Sequence, residues 1–259
     1  EDIKSRYLLK DIRYYNNNKP KIITIFNDVI ENSFPAVADT FQVGNTVLRP
    51  WPFIVSDEFD SATILGCDFL HFTSAVFICN PGVLFITTSH TPAVRIGEIL
   101  KTNGYAELDL LMVRSTECLK INKQFGNTFK TLNSGVLLVP VLVENTKGYC
   151  VIDTGAFYTS LKNSVIKKKI WQIKSYSDAY QVDAKGNESG IDTILLKSFL
   201  VGDFDLVKDI EVLYTEVKDK EHLHSKDDTM PILGNIGVDV LRRYNAIIDF
   251  GNRRLYLQR

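Results

Sequence analysis

Gly148-Tyr149-Cys150-Val151-Ile152-Asp153-Thr154-Gly155-Ala156-Phe157-Tyr158-Thr159-Ser160-Leu161 is the stretch whose reading decides the fold. An apolar, β-prone run from Tyr149 to Ile152 delivers a carboxylate into a tight Asp-Thr-Gly turn, and a second apolar run leaves it. Asp and Gly mark turns in every kind of fold, so the tripeptide needs a partner to mean more. Its partner is Pro231-Ile232-Leu233-Gly234-Asn235-Ile236-Gly237-Val238-Asp239-Val240-Leu241, running on to Leu257. There a short strand ends in a glycine, a short helix follows, and two further strands close the chain.

Together these stretches resemble the aspartic peptidases, and Ala156 after the turn is more similar to the retropepsin branch than to the pepsin branch. The resemblance covers Val136 to Leu257. It implies a mostly-β fold of aspartic-peptidase β-barrel lobes, and an endopeptidase that takes a polypeptide bound in an extended form. In such an enzyme two carboxylates lie so close that they share one proton, because like charges at that separation cannot both ionise. The pair activates a water against the scissile carbonyl and returns a proton to the amine.

Carried onto this chain, the resemblance makes Asp153 one carboxylate of the pair. Thr154 would brace the turn against the opposite loop, and Gly155 would permit a close backbone approach that a side chain would block. Ala156 stands where a pepsin-like chain has a hydroxyl, which implies a pair less acidic than in acid-adapted relatives. Ile232, Leu233 and Gly234 would pack behind the loop, a structural role. A flap is expected between Asp153 and Gly234. Tyr180 to Leu196 has apolar arms around a Gly/Asn-rich tip, which is hairpin chemistry. Ala184, Lys185, Gly186, Asn187 and Gly190 are therefore the candidate flap and substrate-binding residues, with an ordinary surface hairpin as the alternative. A flap of this kind pairs with the substrate backbone as an added strand does. No cofactor and no metal is implied.

Working outward, the two halves of the chain end alike. Asp68-Phe69-Leu70 matches Asp239-Val240-Leu241, Ala75-Val76-Phe77 matches Ala246-Ile247-Ile248, and Leu84-Phe85-Ile86 matches Leu255-Tyr256-Leu257. All share one offset (239 − 68 = 171), and Ile64-Leu65-Gly66 matches Ile232-Leu233-Gly234 after a three-residue gap. One offset over so many apolar positions reads as an internal duplication. We expect a first lobe over 1–87, a linker with some strand over 88–134, and a second lobe with Asp loop, flap and closing strands over 135–259.

Subtracting 171 from 153 falls before residue 1, so the first lobe shows no Asp loop of its own. Asp39 is rejected, because Phe41 stands where the turn requires Gly and too few residues separate it from Thr63 to hold a flap. The second carboxylate is then expected from an N-terminal segment or from a homodimer mate presenting its own Asp153. A catalytically silent peptidase-fold module that binds a peptide or partner protein is the alternative function. A structural β-domain of a larger polyprotein is a third.

Bulk composition fits these readings. Hydrophobic residues make up 45% and charged residues 24%, as in ordinary globular domains. Thirty Lys and Arg against 31 Asp and Glu leave a net charge of −1, which gives no electrostatic footprint for nucleic acid. No apolar run approaches the ~20 residues of a membrane span. The chain opens at Glu1 without a signal peptide, read as a mature form or a fragment. Cys67, Cys79, Cys118 and Cys150 lack metal-type spacing, which leans toward a reducing compartment.

Some patterns are set aside. Asp249-Phe250-Gly251 reads as a turn between the closing strands. His222 and His224 stand in a charged loop, and Lys167-Lys168-Lys169 on a solvated face. Asp239 is expected to pair with Arg242 or Arg243. Trp51 is expected to cap the first lobe's core.

Overall fold

The computed structural model describes residues 10–14, 22–23, 29–30, 33–56, 65–86, 94–113, 135–162, 173–182, 188–206, 210–215 and 231–259. The chain begins with β1 (Lys10–Tyr14), β2 (Ile22–Ile23), β3 (Val29–Ile30), β4 (Ser33–Val43), β5 (Thr46–Leu48) and β6 (Trp51–Ser56). Helix α1 (Cys67–Phe72) follows, then β7 (Val76–Ile78), β8 (Val83–Phe85), helix α2 (Val94–Thr102), β9 (Ala106–Asp109) and β10 (Leu111–Val113). Next come β11 (Val136–Val143), β12 (Thr146–Ile152), β13 (Ser160–Lys162), β14 (Ile173–Val182) and β15 (Glu188–Leu196). The rest is β16 (Phe199–Val201), β17 (Phe204–Asp205), β18 (Ile210–Thr215), β19 (Ile232–Ile236), helix α3 (Val238–Arg243), β20 (Ile247–Asp249) and β21 (Arg254–Leu257). The fold is mostly β, the class the sequence implies.

Strand β11, Val-Leu-Leu-Val-Pro-Val-Leu-Val, carries no polar side chain, and it runs inside the largest sheet. It pairs with β12 on one side and with β16 and β10 on the other. Leu137, Val139, Val141 and Val143 are buried on one face, while on the other Leu138 is buried and Val136, Pro140 and Leu142 are half-buried. The ten strands of this sheet run in the order β14-β15-β18-β13-β19-β12-β11-β16-β17, with β10 on β11.

A second sheet, β8-β7-β20-β21-β9, joins early and late segments. Val76, Phe77 and Ile78 of β7 lie antiparallel to Asp249, Ile248 and Ile247 of β20. Cys79 N–H donates to Ala246 O at 2.9 Å, and Phe250 N–H donates to Ala75 O at 3.0 Å. Adding 171 to 75 and 79 returns 246 and 250, so the two bonds are exchanged by the same shift. The turns after α1 and α3 agree as well, with φ of +45° at Ser74 and +46° at Asn245.

One face of this sheet (Leu108, Ile248, Leu255, Leu257) enters the main core with Leu161, Leu196, Phe199, Leu233 and Leu241. The other face (Val76, Ile247, Tyr256) is covered by Leu100 of α2 and by Tyr105. The stretch read as a linker does carry strand, and within its described part it also holds helix α2, which the sequence reading did not include. Its strands tie both sheets together: β9 pairs with β21 and β10 with β11. A smaller cluster of Ala38, Phe41, Trp51 and Phe69 seats β4 and β6 on α1. Trp51 is 5% exposed and stands edge-on to Phe69 at 5.5 Å, the capping place expected for it.

Candidate active site

The loop 153–159 leaves the end of β12 and enters β13. Strand β19 lies parallel to β12 and antiparallel to β13, so the loop arches over the end of β19. Ile232, Leu233 and Gly234 are in β19. Cys150 stands opposite Gly234, and Leu161 opposite it on the other side. Gly234 is required there, because a Cβ would fall 1.9 Å from Ser160 O and 2.9 Å from Leu161 Cα.

Asp153 is half-buried at the start of the loop, and its amide donates to Ile236 O at 3.1 Å. Gly155 N–H donates to Asp153 Oδ1 at 3.0 Å, and Ala156 N–H to Asp153 O at 3.3 Å. Burial pushes the carboxyl above its ordinary range, and the Gly155 and Ala156 amides oppose that by favouring the anion. Among the described residues no second carboxylate acts on it. Thr154 and Gly155 are exposed and Ala156 is half-buried.

The loop is locked from below by α3. Thr159 is fully buried; its N–H and its Oγ1 both donate to Asp239 Oδ1, at 2.9 and 2.8 Å. Gly237 N–H donates to Thr159 Oγ1 at 3.0 Å. Val238 N–H and Asp239 N–H donate to Ala156 O and Phe157 O at 2.8 and 3.0 Å. A Cβ on Gly237 would lie 2.5 Å from Tyr158 C, so only glycine lets the helix start this close to the loop. This corrects the expectation for Asp239: among the described residues it pairs with Thr159, not with Arg242 or Arg243. Arg242 Nε instead donates to Cys79 O at 3.3 Å.

The apolar run after the turn does not start as strand at Phe157. Among the described residues the strand begins at Ser160 and runs to Lys162, while Phe157 is 81% and Tyr158 55% exposed. The sequence reading did not single out these two exposed aromatics, which follow the turn. Cys67 and Asp68, at the start of α1, were missed as well. Burial first, then the charges of Asp68 and Asp153, push the Cys67 thiol up to about 12.

Strands β14 and β15 form a hairpin whose base, from Asp192 on, pairs also with β18. Tyr180, Gln181 and Val182, opposite Gly190, Ser189 and Glu188, extend past that pairing. Gly190 is thus placed opposite Tyr180, whereas Ala184, Lys185, Gly186 and Asn187 lie outside the described residues, as do His222, His224 and Lys167 to Lys169. Asp249 ends β20 and accepts from Asn252 N–H at 2.9 Å, the turn expected of it. Among the described residues no group of three His, Cys, Asp or Glu is arranged to hold a metal ion, and no helix is long and apolar enough to cross a membrane.

Comparison with solved structures finds likenesses to this chain. A solved structure described as a retropepsin-like aspartic protease from Rickettsia conorii is similar over 59% of this chain and 92% of its own length, at 16% identity and a TM-score of 0.33. No protein-family model and no curated protein matches the chain. What the loop does chemically rests on its own geometry.

Proposed function

We propose that the chain carries one half of an aspartic endopeptidase site, with Asp153 as one member of the carboxylate pair. The observation that carries this reading is the loop itself. Burial favours the protonated form of Asp153, the amides of Gly155 and Ala156 favour the anion, and α3 holds the whole turn rigid through Asp239, Thr159 and Gly237. A carboxyl held above its ordinary range, with amides that still favour its anion, suits general acid–base work on an amide. Thr154 braces the turn against the partner loop, and Ile232, Leu233 and Gly234 support it from behind. The projecting end of the β14–β15 hairpin serves as the flap over an extended polypeptide, with Ala184, Lys185, Gly186, Asn187 and Gly190 at or near its tip. The exchange of bonds under the 171-residue shift supports two related lobes, 1–87 and 135–259, joined by 88–134.

The test is cleavage of a peptide library by this chain, by Asp153→Asn, and by the chain with a pepstatin-type inhibitor. Cleavage lost in the variant and blocked by the inhibitor is the expected result; cleavage unchanged in Asp153→Asn overturns the reading. A second reading, a silent module of this fold that binds a peptide or partner protein, is favoured by one observation: among the described residues no carboxylate contributes to the upward shift of Asp153. Peptide binding without cleavage in the presence of a second Asp loop supports that reading instead.

A further inference from the structure

Among the described residues one strand pairing directly joins the early segment, 33–86, to the late segment, 135–259: β7 on β20. Its register runs only from Val76 opposite Asp249 to Ile78 opposite Ile247. The residues that follow the two strands, Cys79 and Phe250, are 2% and 3% exposed, and their amides extend the ladder to Ala246 O and Ala75 O. A residue buried that deeply needs a donor for its carbonyl as well. Among the described residues no turn or loop amide donates to Cys79 O or Phe250 O.

Side chains from the two helices supply the donors instead. Arg242 Nε of α3 donates to Cys79 O at 3.3 Å, and His71 Nδ1 of α1 stands 2.8 Å from Phe250 O. Adding 171 to 71 and 79 gives 242 and 250, so the shift that exchanges the two amide bonds exchanges these two contacts as well. Each segment therefore caps the carbonyl at the end of the other segment's strand. A carbonyl only accepts, so His71 Nδ1 carries a proton, and in the neutral ring that selects the Nδ1–H form. Arg242 has no such choice to make, because a guanidinium always keeps its Nε hydrogen.

We propose that His71 and Arg242 are paired latches that hold the early and late segments in one arrangement across the short β7–β20 pairing. What they position follows from α3. The helix that carries Arg242 also binds the Asp loop, through Gly237, Val238 and Asp239, so Arg242 ties the support of that loop to the end of β7. Resting on the peptidase reading above, the latches are positioning residues: they set the early segment against the Asp153 loop, and with it the geometry of the cleft in which a polypeptide would lie.

The test uses two pairs of substitutions. His71→Leu and Arg242→Met remove the donors, whereas His71→Asn and Arg242→Gln keep an N–H at the same place along the side chain. Native-state hydrogen exchange is followed by NMR at the amides of Phe250 and Cys79. His71→Leu should speed exchange at Phe250 roughly tenfold and Arg242→Met should do so at Cys79, with the amides of β12 unchanged. The Asn and Gln variants should stay within about threefold of the parent. The nitrogen shifts of the His71 ring, recorded at pH 9, should place its proton on Nδ1. Exchange unaltered by Leu and Met, equal effects of Leu and Asn, or a proton on Nε2 overturns the latches. Peptide cleavage by the same variants tests what the latches position. It should fall about fivefold or more in His71→Leu and recover in His71→Asn. Cleavage at the parent rate while Phe250 exchanges faster overturns the positioning role and leaves the peptidase reading standing. If the parent chain cleaves no peptide, the peptidase reading falls and the exchange rates and the ring proton decide the latches.

Discussion

Thr159→Val removes one oxygen and nothing else of substance, because Val has nearly the shape of Thr. The oxygen serves two buried partners: it donates to Asp239 Oδ1 at 2.8 Å and accepts from Gly237 N–H at 3.0 Å. Losing a hydrogen bond to a charged acceptor costs about 1.5–3 kcal/mol, and leaving the buried Gly237 amide unpaired costs about 1–3 kcal/mol more. The two losses share one site and are not fully additive, so we expect about 3–5 kcal/mol in all. Urea unfolding at pH 7 followed by far-UV circular dichroism should show an earlier midpoint with an unchanged slope. In a thermal scan the change corresponds to a fall of about 10 °C. Thr159→Ser keeps the oxygen and should recover most of the loss. Thr73→Val is the matched control: Thr73 is 1% exposed and its Oγ1 donates at 2.8 Å to the neutral carbonyl of Phe69, so about 1 kcal/mol is expected. A Thr159→Val chain within about 0.5 kcal/mol of the parent would refute the idea that this hydroxyl ties the Asp loop to α3.

The remaining expectations are simpler. The Asp153 carboxyl is raised in the folded chain, so the fold binds its proton more tightly than the unfolded chain does, and this contribution to stability is lost as pH rises through the folded value. Asp153→Asn should therefore raise the thermal midpoint at pH 7, with the gain vanishing below the ordinary carboxylate range; a loss of stability at pH 7 contradicts the burial argument. Gly234→Ala forces a Cβ into the Ser160 carbonyl and should cost about 3 kcal/mol or more, read as loss of the cooperative transition at 37 °C. Burial pushes the thiols of Cys67, Cys79 and Cys150 up to about 12, so peptide mapping after iodoacetamide at pH 8 should find them unmodified in the native chain and modified in urea.

Much of the Asp loop was legible because its signals are local. Tyr149 to Ile152 form an apolar, β-prone run, Asp153 and Gly155 make the turn, and the glycine of Ile232-Leu233-Gly234 marks a close backbone approach. Asp249 was read correctly as a turn residue for the same reason, since its partner Asn252 is three residues away. Asp239 was misread because Arg242 and Arg243 stand at helical spacing and offer the obvious local partners. Its true partner, Thr159, lies 80 residues earlier in the chain. Helix α2 was missed because its short apolar side is set by contact with the sheet, through Leu100 against Val76, Ile247 and Tyr256.

Local pattern was enough for the mostly-β class and for the place of Asp153 in a tight turn, because periodicity and turn chemistry are carried by residues close together along the chain. Only the tertiary structure decided which groups meet across it. It set Asp239 against Thr159 and packed β7 along β20. Those pairings follow from how distant strands close around one core, and no stretch of neighbouring residues encodes that closure.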